Sequence, residues 1–488
     1  MKLNRDFLCN ALPEATFQLG DITLSSVPSN QHNSQWQSID QGCDVMVSMD
    51  TRTTQPGDFF IALRGPNFDG HTFLQHALAK GACGALVSRQ SMHHVTQLTA
   101  QERAGKLFII VHETLDAYIA LAKAWRNTLT CPVVGITGSV GKTSTKEIVR
   151  CILDVAGVDA YVSFKNFNNV FGICYNVLRI PATAAVAVIE VGINEKGEMI
   201  QLADILRPTI GVITNIGHAH MEGLGNSLRG VSAEKRNLFA LFTPHNVGIV
   251  CGDQPLLGDL NYAHPTARFG VKIKNHVQAR KIRTIQAADG SFTTTFSLKW
   301  YGQKAVINVH GNHKGFVHNA LAASTVAYFL HIPFEKVIEG LQVYKGFEHR
   351  FEMKKLKGAG GHLLNDCYNA NPESMKAALL AFAQMDFEGQ KIAVLGDMLE
   401  LGDKTAYWHR QMGRVISKTG NVQRLILVGE NAKLIGSTVP DELAISFAKD
   451  WQEAHAVLTG LLAARESLVL VKASHGIHLD LMVKEVVE

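Results

Sequence analysis

Val133-Val134-Gly135-Ile136-Thr137-Gly138-Ser139-Val140-Gly141-Lys142-Thr143-Ser144 is the stretch on which the fold turns. Val133–Thr137 is short, apolar and β-branched, and reads as a buried strand. Beyond the glycines, Ile148, Val149, Ile152 and Leu153 recur at helical spacing, so a helix is expected over 144–156. Strand, glycine turn and helix N-terminus together suit an anionic phosphate. Glycine lets backbone N–H groups converge on the anion with no side chain in the way, and the helix start adds a partial positive charge. On this reading Gly138, Ser139, Val140, Gly141, Lys142, Thr143 and Ser144 hold a nucleotide's phosphates. Lys142 supplies a point charge and the Thr143 hydroxyl a Mg²⁺ ligand. The spacing departs from G-x-x-x-x-G-K-[ST], because Ile136 stands five residues before Gly141 and Gly138 three before. An ordinary glycine-rich strand-to-helix turn is the alternative.

Working outward, Ala185–Glu190, Ile210–Ile216 and Val247–Cys251 read as further buried strands separated by helical segments. That alternation argues for a mostly parallel sheet covered on both faces. Residues 268–310 differ: Ser291–Trp300 and Ala305–Val309 suggest an antiparallel addition, before Gly311–Leu330 returns to helix. A second α/β pattern follows, with strands at Leu363–Cys367, Lys391–Leu395, Arg424–Val428 and Leu468–Val471. Upstream, Phe73–Lys80 reads as helix, Gly81–Ser88 as turn and buried strand, and Asp116–Thr128 as helix. Boundaries near 127 and 345 divide the chain into 1–127, 128–345 and 346–488.

With 46% hydrophobic and 18% charged residues, the 488-residue chain has the composition of a packed protein, not a disordered one. A formal charge of +4 with no basic tract gives no nucleic-acid surface. No apolar run reaches the roughly 18 residues of a membrane helix. Met1–Leu12 lacks the apolar core of a signal peptide. A cytoplasmic protein without membrane insertion is expected. Its eight cysteines stand singly with no C-x-x-C pair, which favours reduced thiols over disulfides or zinc.

A phosphate site of this kind needs Mg²⁺ and oxygen ligands for it. Glu190 ends a strand at the carboxyl edge, where open α/β sheets place their ligands. Metal coordination would compensate its burial; an N-cap or salt bridge is the alternative. In Asn215-Ile216-Gly217-His218-Ala219-His220, either histidine taken singly reads as a packing or hydrogen-bonding residue. By pattern alone, Lys235 in Ser232-Ala233-Glu234-Lys235-Arg236 reads as a solvated helix residue.

Along nearly its whole length the chain resembles the Mur ligase family. The resemblance rests on Thr137–Thr143, on Glu190-Val191-Gly192 with Gly197-Glu198, and on Asn215-Ile216-Gly217 with His220. Most specific are Asp366-Cys367-Tyr368-Asn369-Ala370-Asn371-Pro372 and Leu395-Gly396-Asp397-Met398-Leu399-Glu400-Leu401-Gly402. Asp50-Thr51-Arg52, Pro56–Leu63 and Asp69-Gly70-His71 add to it.

The resemblance implies an α/β fold of three domains: a small α/β N-terminal UDP-binding domain (1–127), a central parallel-sheet P-loop ATPase domain (128–345) and a C-terminal Rossmann-like domain binding nucleotide and incoming dipeptide (346–488). It implies an ATP-dependent amide ligase that adds D-alanyl-D-alanine to UDP-N-acetylmuramoyl-tripeptide through an acyl phosphate, acting as a monomer with ATP and a Mg²⁺ pair. Lys142, Lys235 and His220 would be catalytic; Thr143, Glu190, His220 and a carbamylated Lys235 would hold metal. Asn319 would contact adenine, Arg350 the hinge and phosphate, and Asp366 the ribose. Thr51, Arg52, Asp69, Gly70, His71, Asn166, Asn168, Asn169, Tyr368, Asn369 and Asn371 would bind substrate.

The chain departs from the family pattern in places. Two extra residues follow Gly311-Asn312-His313, which puts Phe316 where an asparagine is usual. Lys472-Ala473-Ser474-His475 replaces K-G-S-R, so an arginine's anion contact is lost or weakened. Asn365 replaces an aspartate, and Val170 and Cys174 replace a glutamate and a proline. These mark a divergent member, not a different activity. Rival readings are a sister ligase, third-residue-adding or folylpolyglutamate-like, and a nucleotide-switch binding protein. The first would carry D-N-P-R and the last N-K-x-D, and the sequence has neither.

Overall fold

The computed structural model describes residues 4–24, 45–65, 68–164, 167–219, 221–286, 292–310, 314–346, 349–358 and 360–488. Its strands form three sheets, and the described chain divides into two compact units. The first unit takes in 1–133, 161–189 and 201–207; the second takes in 134–160, 190–200 and 208–488. Among the described residues, no helix is long and apolar enough to cross a membrane.

In the first unit a six-stranded sheet runs in the order Ile22–Leu24, Thr16–Leu19, Leu107–Val111, Gly84–Ser88, Phe59–Ile61, Val47–Ser48. The last four strands are parallel and the first two join antiparallel. The helix Leu74–Ala79 buries Leu74, Ala77 and Leu78 against Phe60, Ala85, Val87 and Phe108, the alternate residues of the strands beneath it. Along Thr114–Thr128, Tyr118, Leu121 and Trp125 form the buried stripe. Buried Arg126 on this helix donates to the carbonyls of Leu206 (2.7 Å) and Arg207 (2.8 Å), satisfying acceptors where 201–207 ends.

In the second unit, strands run in the order Gln303–His310, Phe292–Trp300, Val277–Gln286, Thr266–Gly270, Val247–Cys251, Ile210–Ile213, Val133–Thr137. The run from Val133–Thr137 to Val277–Gln286 is parallel, and the outer two strands add antiparallel. Two corrections follow. The strand expected over 210–216 stops at Ile213, because Thr214 to Gly217 leave the ladder to brace the glycine turn. Val277–Gln286 is a strand that alternation did not reveal. A register shift between Arg280 and Arg283, with Lys281 at φ +53°, interrupts its period of two.

The third sheet orders as Glu352–Lys355, Gly361–Asn365, Ser467–Lys472, Gln390–Gly396, Arg424–Val428, Ala444–Ala448, parallel except for the first strand. Its central strands are apolar throughout because both faces are covered. Leu364, Ala393, Leu395, Leu425 and Leu470 face one core; Leu363, Ile392, Val394, Ile426 and Val469 face the other. The edge strand Ala444–Ala448, with Phe447 exposed, has no counterpart among the strands expected from the sequence.

One buried lysine ties a helix to this sheet. Lys391 is 5% exposed and lies 5.0 Å from the Phe382 ring centroid. Its ammonium donates to the carbonyls of Phe382 (2.8 Å), Ala383 (3.3 Å) and Met385 (2.7 Å), where Pro372–Ala383 ends. The Phe382 carbonyl also takes the Met385 N–H (3.2 Å) and the Ala383 carbonyl takes Asn421 Nδ2 (2.6 Å), so the ammonium joins a set of acceptors at the helix end. Replacing Lys391 by Ala should therefore lower unfolding stability by about 2–4 kcal/mol. Denaturant titration of both proteins checks this, and an unchanged midpoint would refute it.

Candidate functional site

Two glycines shape the turn between Val133–Thr137 and the helix Lys142–Val155. Gly138 has φ +151° and Gly141 φ +86°, regions that side chains avoid. Space forbids a side chain as well: a Cβ on Gly138 would lie 1.9 Å from Thr214 Oγ1, and one on Gly141 2.3 Å from Asn319 Oδ1.

The segment Thr214–Gly217 holds the turn. The Thr214 hydroxyl donates to the Val140 carbonyl (2.6 Å), the Val140 N–H to Asn215 Oδ1 (2.7 Å) and the Ser139 N–H to the Asn215 carbonyl (3.1 Å). The Ser139 hydroxyl donates to the Gly217 carbonyl (3.0 Å) and accepts the Gly217 N–H (2.9 Å). Ser139 and Val140 thus set the shape of the turn. An anion is left the first N–H groups of Lys142–Val155, which no helical carbonyl can accept. Ser144 follows in that first turn, half-buried.

Lys142 is half-buried and its Nζ donates to the Gly138 carbonyl (2.9 Å), curling back over the turn. Burial lowers its pKa below the usual lysine value; Glu190 pulls the other way and Arg350 adds to the lowering. The buried Thr143 hydroxyl donates to Glu190 Oε2 (2.7 Å) and accepts from Arg350 Nη2 (2.9 Å). Glu190 is 2% exposed at the end of its strand, so the turn's own threonine is a partner of that carboxylate.

Lys235 is not solvated. It is fully buried on Leu228–Arg236, and among the described residues its Nζ has no hydrogen-bond partner. Burial, then the charge of Lys142, pushes its pKa well below the usual value, against the pull of Glu234. The i, i+4 relation of Val231 and Lys235 was the available signal, since it places the lysine on the buried stripe. A buried amine without a partner fits a lysine that carbamylation would complete.

His220 and Asn166 lie outside the described residues. His218 does not face Thr143: its ring bonds Glu373, its N–H donates to Glu373 Oε2 (3.0 Å), and the ring packs 4.3 Å from Trp408. Asn319, on Lys314–Phe329, lies against Gly141 at the phosphate turn.

Across from the turn, the guanidinium of Arg350 lies 4.3 Å from the centroid of Tyr368. Asp366 accepts from Lys472 Nζ (2.7 Å) and from the Phe351 N–H (3.2 Å). Lys472 also donates to the Asn369 carbonyl (3.0 Å). Asn371 caps Pro372–Ala383 through the Ser374 N–H (2.9 Å). Asn369 and Asn371 line one cleft with Ser139, Lys142, Glu400 and His475.

In the first unit, His71 is 1% exposed and accepts the Ser88 N–H at Nε2 (2.9 Å), so its Nδ1–H donates to Asp69 Oδ1 (2.6 Å). Burial would raise the Asp69 pKa, but hydrogen bonds from His71 and Arg64 outweigh it and hold it at about 2. Asp69 and His71 therefore shape the turn that begins at Gly70. Arg52 is exposed and paired with Asp50 (2.6 Å), beside buried Thr51. Asn169 caps Val170–Arg179 through the Gly172 N–H (3.0 Å), and Asn168 precedes it, half-buried.

A further group was not anticipated: Cys251, Asp253 and His318 bring ligand-type atoms within 4.8 Å of one another. The Asp253 oxygens accept from Val271, Lys272, Asn275 and His318, which makes the carboxylate a loop brace.

A phosphate turn, a buried carboxylate, a buried amine and an arginine converge on one threonine hydroxyl or its surroundings. This arrangement can hold a nucleoside triphosphate with its terminal phosphate at the cleft. Family models match three stretches of the chain: the Mur ligase family catalytic domain over 45–126, the Mur ligase middle domain over 136–327, and the Mur ligase glutamate ligase domain over 349–475. The UDP-N-acetylmuramoyl-tripeptide–D-alanyl-D-alanine ligase of Bacillus subtilis is 33% identical, over 91% of this chain and 93% of its own. The ligase of the same name from Escherichia coli is 30% identical, over 96% and 98%. A crystal structure of MurF from Acinetobacter baumannii superposes with a TM-score of 0.81 at 24% identity, covering 99% of this chain and 98% of its own. MurF from Thermotoga maritima in complex with ADP gives 0.74 at 23% identity, over 90% and 96%. The chain belongs to the Mur ligase family.

Proposed function

We infer that the protein is an ATP-dependent ligase that joins D-alanyl-D-alanine to UDP-N-acetylmuramoyl-tripeptide, giving the pentapeptide precursor of peptidoglycan, ADP and phosphate. The relatives that carry that name along nearly the full chain support the reaction. The observation that carries the chemistry is the Thr143 hydroxyl, bonded at once to Glu190 and Arg350 beside Lys142. On this reading 1–127 hold the UDP-sugar through the neighbourhood of Thr51, Arg52 and Asp69–His71. Residues 128–345 hold ATP, and 346–488 hold nucleotide and incoming dipeptide. The protein works as a cytoplasmic monomer.

A carboxylate is a poor electrophile, because its charge is delocalised and oxide is a bad leaving group. In the first step a carboxylate oxygen of the tripeptide attacks the γ-phosphorus of ATP, and the bond to ADP breaks with its electron pair on ADP. Two anions approach each other there, so Lys142 and Arg350 offset the repulsion while the helix N-terminus orients the phosphates. The donor set of Thr143, Glu190, His220 and a carbamate on Lys235 is oxygen-rich and fits Mg²⁺. When bound, that cation neutralises phosphate charge. In the second step the dipeptide's amine attacks the acyl carbon, loses a proton, and phosphate departs with the electrons of the C–O bond.

Two outcomes test this reading. Replacing Lys142 by Ala should lower turnover about 10²–10³-fold, the effect typical of removing one charge-stabilising donor, with an unchanged circular-dichroism spectrum. Near-wild-type ligation by that variant would defeat the assignment. Separately, protein equilibrated with ¹³C-bicarbonate should show a carbamate carbonyl resonance that disappears in Lys235→Ala. A spectrum lacking that signal at saturating bicarbonate would remove the carbamate from the account.

A further inference from the structure

The cleft that contains Ser139 and Lys142 is closed on its other side by two loops of the third sheet, and these carry Glu400 and His475. Glu400 is the sole carboxylate lining the cleft among the described residues, and Lys142 stands in the same lining. An incoming ammonium group meets a carboxylate of opposite charge in Glu400.

The backbone at Glu400 supports a functional role. Its φ of +62° is left-handed, a conformation that a glutamate adopts only when its surroundings hold it there. The surroundings do so through buried groups. The Met398 N–H donates to His409 Nε2 (3.0 Å), and the His409 Nδ1–H donates to the Thr405 carbonyl (2.7 Å), which fixes the tautomer. The Leu399 N–H donates to the Ser474 hydroxyl oxygen (3.0 Å), and the Ser474 N–H donates to the Asp397 carbonyl (3.1 Å). Asp397 Oδ1 in turn accepts the Ala432 N–H (2.6 Å). Ser474 thus fastens the loop that carries Glu400 to the one that carries His475. Both exposed side chains are presented to the cleft from a stiff base.

We propose that Glu400 and His475 form the acceptor clamp of the ligase. The Glu400 carboxylate receives the ammonium of the incoming dipeptide, and an imidazole N–H of His475 receives its terminal carboxylate. The clamp sets the direction in which the dipeptide enters, amine toward the phosphate turn, and selects an acceptor with both end charges. It rests on the ligase reading given above.

The test uses the full-length enzyme with ATP, UDP-N-acetylmuramoyl-tripeptide and either D-alanyl-D-alanine or D-alanyl-D-alanine amide. Glu400→Gln should raise KM for the dipeptide about tenfold or more, the worth of a hydrogen bond to a charged group. The KM for ATP should hold steady, and Glu400→Asp should recover part of the loss. Acyl phosphate trapped by borohydride without dipeptide should form as in the wild type, which separates acceptor binding from the first chemical step. The wild type should prefer the free acid over the amide, and His475→Ala should erase that preference. If the wild type ligates but Glu400→Gln keeps its dipeptide KM, or His475→Ala keeps the acid preference, the clamp is overturned while the ligase stands. If the wild type ligates neither acceptor, the ligase reading itself fails.

Discussion

The Thr143 hydroxyl is the point through which the second unit organises its chemistry. It donates to Glu190 and accepts from Arg350, so one neutral group joins a buried carboxylate to a guanidinium that belongs to the third sheet's approach segment. Neither charge could be left alone in such a place without a penalty of several kcal/mol. The glycine turn, the 214–217 brace and the stacking of Arg350 on Tyr368 all serve to hold that hydroxyl where both partners reach it. On the ligase reading, a nucleotide entering the turn would meet charges already oriented, which is the condition for electrostatic catalysis without reorganisation.

Much of the fold was legible in the sequence, for a physical reason. Strands buried on both faces are continuous apolar runs, and Val133–Thr137, Val247–Cys251 and Arg424–Val428 have the bounds that their composition announced. Among the strands that escaped notice, Leu107–Val111 is an uninterrupted apolar run, whereas two others have an interrupted pattern. Val277–Gln286 carries a bulge, and Ala444–Ala448 is a half-exposed edge. The glycine turn was legible because a β-branched apolar run, glycines and a helical apolar stripe follow one another there. Lys235 was not, because a charged residue's usual place is in water, and only the burial of its whole helix face reverses that expectation.

Several polar residues that read as ligand contacts are braces in the structure. Asn169 and Asn371 cap helices, and Asp69 and His71 lock a turn. Sequence cannot separate the two roles, since a carboxamide that caps a helix and one that grips a substrate obey the same hydrogen-bond chemistry. The distinction matters for mutagenesis. Losing a brace shifts everything it supports, whereas losing a side chain that only meets a ligand leaves the loop beneath it intact.

The departure at Asn365 follows from the same logic of buried charge. Asn365 is fully buried; its Nδ2 donates to His349 Nδ1 (2.7 Å) and its Oδ1 accepts from the Cys367 thiol (2.8 Å). Beside it Asp366 and Lys472 form a 2.7 Å pair that balances charge within itself. An aspartate at 365 would add a second negative charge beside a single buried ammonium, and the imidazole would have to move its proton to Nδ1 to donate to it. The carboxamide, uncharged at any pH, donates to the imidazole. Their bond ties down His349 at φ +58°, two residues before Phe351 at +56°. Arg350, which donates to Thr143, lies between those two residues. The substitution that marks this chain as divergent thus bonds the residue next to the arginine that engages its central hydroxyl.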